Sequence, residues 1–207
     1  MEFNAMSRMA VFVLSLSLVG CVTPAQLAEE NERRFSSMTL ESVNNCTSIS
    51  GDELTDVVTF SSYYCYQAGQ DFLRNVWNDY FIRGYKDKKT GNTSYQVYAK
   101  MEGDDWSFPY GASYLKPKKN GEQELIRVDT KRIATDVSCQ TYTCSHTEEY
   151  TFPLDASYLK ALSDNYDDIS SKNIEQKMRI FRKALGHRDF VFNINELVGV
   201  YRKVESF

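Results

Sequence analysis

Residues 80–100 read YFIRGYKDKKTGNTSYQVYAK, and this stretch decides the fold class. Tyr95, Val97 and Ala99 alternate with Ser94, Gln96 and Tyr98, the two-residue period of a strand with one buried face. Lys88 to Asn92, KKTGN, supplies the glycine-containing turn of a hairpin. The stretch therefore predicts two antiparallel strands.

Outward from this hairpin, the chain from Leu54 on consists of short runs rich in Val, Ile, Thr, Tyr and Phe, separated by turn signals. DVVTFSSYYCY (56–66) is the first run. DDWSFPYGASYL (104–115) is interrupted by Pro109, which predicts an edge or irregular strand. KPKKNGEQ is a charged turn, and ELIRVDTKRIATDV (124–137) is a strand, bulged or broken in two. CSHTEEYTF (144–152) is its expected neighbour. DASYLKAL predicts a helical turn or two capped by Asp155, and SDNYDDISS (163–171) predicts a polar loop.

Residues 172–194 read two ways. Ile174, Met178, Phe181 and Leu185 fall at helical spacing before Gly186, yet KMRIFRK alternates and DFVFNI is strand-like. We read a hairpin through Gly186–His187, then a closing helix, ELVGVYRKV, capped by Asn195. The expected fold is mainly β with α+β character at its margins: an antiparallel, sandwich-like or curled sheet with short helices, one of them C-terminal.

Residues 9–24 read MAVFVLSLSLVGCVTP. The apolar run is too short to span a bilayer, which takes about 20 helical residues, and has the length of a secretory signal core. Leu18-Val19-Gly20-Cys21 resembles the lipobox of bacterial lipoproteins. The resemblance implies cleavage before Cys21 and acylation of that cysteine, giving the several chains that stable anchoring requires. Val22, standing where an aspartate retains such proteins in the inner membrane, implies an outer-membrane address facing the periplasm. The expected organisation is a signal peptide at 1–20, a lipidated Cys21 with a polar stalk at 21–52, and one β-rich domain at 53–207.

Cleavage before Cys21 would leave a chain of single-domain size. The net charge of −4 argues against nucleic acid as a partner, since that calls for a concentrated basic surface. The distribution is uneven: residues 22–70 hold seven acids and two bases, residues 171–207 eight bases and four acids. Cys46, Cys65, Cys139 and Cys144 form an even set, which in an exported chain reads as disulfides with three connectivities. Cys139–Cys144 around QTYT is favoured, leaving Cys46–Cys65. The alternative is a metal site of Cys139, Cys144 and His146. Its spacing is not that of a zinc knuckle, and the chain has only one other histidine, His187.

Catalytic motifs are sparse. GASYL lacks the second glycine of a nucleophile elbow, and HTEEY is not a metalloprotease helix. Asp164, Asp168 and Glu175 occupy calcium-loop positions, but Tyr166 and Ile169 break that pattern. Glu148 and Glu149 adjoin on one strand and so point to opposite faces. Tyr63, Tyr64, Tyr66, Tyr80 and Tyr85 could offer a glycan-stacking surface, but in alternating strands such residues are more often core and flank. No cofactor is expected. The sequence thus predicts a non-catalytic, membrane-tethered lipoprotein that binds an envelope protein or polymer. The alternative is an envelope hydrolase whose carboxylates and histidines meet only in the fold. The positions of His146, Glu148, Glu149 and Asp155 discriminate between the two.

Overall fold

The computed structural model describes residues 29, 32–33, 35–51, 54–65, 78–118, 122–140, 142–172 and 174–207. Cys21 and the signal segment lie outside these residues. In chain order the elements are α1 (Leu40–Cys46), β1 (Ser48–Gly51), β2 (Val57–Ser61), β3 (Asn78–Asp87), β4 (Thr93–Gly103), β5 (Pro109–Pro117), β6 (Gln123–Asp129), β7 (Lys131–Gln140) and β8 (Thr143–Leu154). There follow α2 (Ala156–Asp164), α3 (Tyr166–Lys172), β9 (Glu175–Arg182), β10 (Gly186–Asn193) and α4 (Ile194–Ser206). The expected mainly β, antiparallel class is the one observed.

The strands form two sheets, ordered β1-β2-β3-β4-β8-β7 and β10-β9-β5-β6. The hairpin of residues 80–100 is the pair β3–β4, in register from Lys86 opposite Thr93 to Asn78 opposite Met101. Its turn needs Gly91, whose positive φ lies in the left-handed region. Inward side chains of both sheets, among them Phe60, Ile82, Val97, Phe152, Ile180 and Phe192, merge into one core with Leu197, Val200 and Val204 of α4. Within the ambiguous stretch, Glu175–Arg182 and Gly186–Asn193 form the β9–β10 hairpin, with Gly186 opposite Arg182.

Three expectations are corrected and a fourth is sharpened. Pro109 does not mark an edge: β5 is central, paired with both β6 and β9. Proline is tolerated because it is the first residue of the strand, beside a register shift before Gly111. Of the two forms expected for residues 124–137, the break in two is the one observed, and the halves enter different sheets. Part of the polar loop at 163–171 is the helix α3, because Tyr166 and Ile169 pack against the core. The C-terminal helix is capped by Asn193, the last residue of β10, whose side chain accepts from the Asn195 N–H at 2.9 Å.

The stalk expected over 21–52 is also too long. Val43 of α1 is fully buried against α4, and Met38 belongs to the core. Asn193 and Asn195 donate their side-chain amides to the carbonyls of Phe35 and Met38. Lys203 donates to the carbonyls of Asn44 and Thr47, satisfying the C-terminal end of α1. The domain therefore begins well before residue 53.

Gly199 makes this docking possible, because a Cβ there would stand 2.6 Å from Val43 Cγ1. Helix propensity alone would have Gly199→Ala stabilise α4 by about 1 kcal/mol. The steric term is larger, so a net loss of about 1–3 kcal/mol is expected in urea unfolding. Combining it with Val43→Ala should recover part of that loss; a plain gain in the single variant would contradict the packing.

Candidate functional site

Residues of one parity on β8 share a face. Tyr150 and Phe152 carry that face into the core, and His146 and Glu148 continue it toward the end of the strand, whereas Glu149 points the other way. The loop after β4 folds over Glu148. Ser107 donates its N–H to Oε2 at 2.7 Å and its hydroxyl to the same oxygen. The Phe108 N–H and the Tyr150 hydroxyl reach Oε1 at 3.2 and 2.7 Å.

These bonds fix the charge of the group. Burial pushes the Glu148 pKa up, but the donors from Ser107, Tyr150 and the Ser107 and Phe108 backbone outweigh it and hold the carboxyl below its ordinary value. Tyr150 is pushed up in turn, by burial and by donating to that carboxylate. Phe108 has a positive φ, a left-handed conformation costly for a side chain with a Cβ. The loop holds it there because its N–H is committed to Glu148.

Beside Glu148 lies a cleft of 660 Å³ whose walls come from both sheets: Met101 and His146 from the first, Arg182, His187 and Asp189 from the second. The His146 ring meets the Trp106 ring edge-on, 4.7 Å between centroids, and its Nδ1 is buried with no hydrogen-bond partner. Arg182 donates Nη2 to the carbonyls of Leu185 and His187 at 2.8 and 3.3 Å, while its buried Nε has no partner. Burial lowers the Arg182 pKa, opposed by the nearby Glu148 charge.

The structure thus brings together His146, His187 and Glu148, and separates the rest. Asp155 lies at the opposite end of β8, where it caps α2 and binds Ser157 and Lys116. Glu149 is on the other sheet face. Cys139 and Cys144 are joined to each other, as are Cys46 and Cys65, so the ligand set Cys139/Cys144/His146 does not form. The calcium-loop residues fall on α2, α3 and the start of β9 rather than in one loop.

The tyrosines divide as well. Tyr80 turns inward and donates to the Val191 carbonyl at 2.8 Å. Tyr63, Phe81 and Tyr98 cluster in ring contact, with the Arg83 guanidinium 3.9 Å from the Tyr98 centroid and the Tyr85 hydroxyl bonded to that of Tyr98. Tyr66 lies outside the described residues. Arg182, Ser107 and Trp106 had no local signal in the sequence, because their roles come from contacts between distant strands.

No protein-family model matches this chain, and neither a curated protein nor a solved structure does. Its function is therefore argued from its own residues.

Proposed function

We propose that this protein is a lipid-tethered, periplasm-facing domain of a bacterial envelope that binds an envelope protein or polymer in the cleft without transforming it. The observation that carries the reading is the state of Glu148. Both its oxygens are occupied by donors that build the loop, so it is not free to orient His146 or to accept a proton from a substrate. The cleft then offers groups that recognise but no relay that reacts. The lipobox-like Leu18-Val19-Gly20-Cys21 supports the tether, and two disulfides suit an oxidising compartment.

The tether is tested by Cys21→Ser with membrane fractionation and intact mass. The expected result is acyl mass on the wild type and release of the variant from membranes. A variant that still sediments with membranes, beside a wild type with no acyl mass, sinks it. Binding is tested by crosslinking from intact envelopes at a photoreactive residue replacing Asp104 on the rim. Hydrolysis of envelope polymer by the purified protein, abolished in His146→Gln, would instead establish the hydrolase.

A further inference from the structure

We infer that the cleft recognises an oxyanion, a carboxylate or phosphate carried by its ligand, through Arg182, His146 and His187. This rests on reading the cleft as a binding site and adds the chemistry of what it binds.

Four of the five acids lining the cleft already accept hydrogen bonds, which hold their charged oxygens in place. Asp189 is held by Arg179 through two bonds of 2.6 and 2.9 Å. Glu148 is saturated by the loop, Glu102 accepts from the Ser145 hydroxyl at 2.6 Å, and Asp105 accepts from the Trp106 N–H at 2.7 Å. Asp104 is exposed at the rim.

The donors are in the opposite condition. Arg182 carries a half-buried charge with no carboxylate at ion-pair distance, and its Nε has no acceptor. His146 Nδ1 is likewise buried and unpaired, on the facing sheet. These are two of the four orphaned buried polar atoms among the described residues, and both belong to one cleft. His187 stands at the exposed mouth, its carbonyl tied to Arg182. A half-buried guanidinium whose Nε lacks an acceptor is costly, and so is a buried imidazole nitrogen without a partner. An entering oxyanion relieves both costs, and the planar guanidinium fork matches a pair of oxygens. Met101 and Leu185 add apolar wall, and the volume suits a small molecule or one unit of a polymer.

The test is calorimetric titration of the full-length protein in detergent micelles, first with inorganic phosphate and separately with N-acetylalanine. Saturable binding of at least one anion is expected, with a shift of the Arg182 Nε–H resonance. R182Q should weaken it about tenfold, the scale of one charge-assisted hydrogen bond. His187 is an exposed residue at the start of β10, so H187Q should fold normally and weaken binding about threefold. A response to phosphate alone or to N-acetylalanine alone assigns the class. Silence from both anions, or unchanged affinity in a folded variant set, overturns the proposal. Envelope crosslinks that persist while both titrations are silent would remove the oxyanion site and leave the binding domain standing. Anion binding without any envelope crosslink would do the reverse.

Discussion

Glu148→Ala is expected to cost about 3–4 kcal/mol of folding stability, because it strands the Ser107 and Phe108 N–H groups and the hydroxyls of Ser107 and Tyr150. The loop should loosen with it, leaving Phe108 at its positive φ held by the bond its carbonyl accepts from the Lys183 N–H at 3.2 Å. Urea unfolding and near-ultraviolet dichroism of Trp106 read the two effects. A loss below about 1 kcal/mol would show that water replaces the carboxylate. The same group predicts an acid response. Its folded pKa is lowered, so the stability gained from its charge is complete above the unfolded glutamate value of about 4.3 and fades as pH falls through the folded value. The stability gap between wild type and Glu148→Gln should accordingly be full at pH 7 and shrink below about pH 4.

Removing the Cys46–Cys65 bond, by reduction or by a double serine variant, should cost about 3 kcal/mol in the chain-entropy model, given a sequence separation of 19. The effect is general rather than local, because Cys46 ends α1 and Cys65 follows β2, so the bond holds the helix to the sheet. Cys139–Cys144 closes a separation of only 5 at a hairpin end where Tyr142 is 96 % exposed. The same model gives about 2 kcal/mol for it, so its loss should shift thermal unfolding less. Equal shifts for the two double variants would mean that α1 docks without its crosslink.

What could be read from the sequence was whatever period alone determines. The β3–β4 hairpin was legible through its alternation and Gly91, and so were the opposite faces of Glu148 and Glu149. Gly84 was not. It sits inside the opening hairpin as an apparent weakness, yet a Cβ there would lie 2.5 Å from Val204 Cγ2 of the distant α4. Val43 was missed for the same reason. Phe35, Met38, Leu40 and Val43 are too few and too unevenly spaced in a polar run to make a stripe, and the burial of Val43 depends on the space that Gly199 leaves much later in the chain. Pro109 misled because position within a strand, not its presence, decides whether a ladder bond is lost. Of the cleft, the histidines were candidates, but Arg182 joined them only when the second sheet packed against the first.

The bond from Asn193 to the carbonyl of Phe35 gives the molecule a front and a back. β10 runs from His187 at the cleft to Asn193 where the incoming chain is fastened, so nearly the whole length of an extended strand separates the two. Any surface that moors the protein by residues before Phe35 therefore pulls on the rear. A pull on residues before Phe35 would thus load the end of β10 that lies away from the cleft.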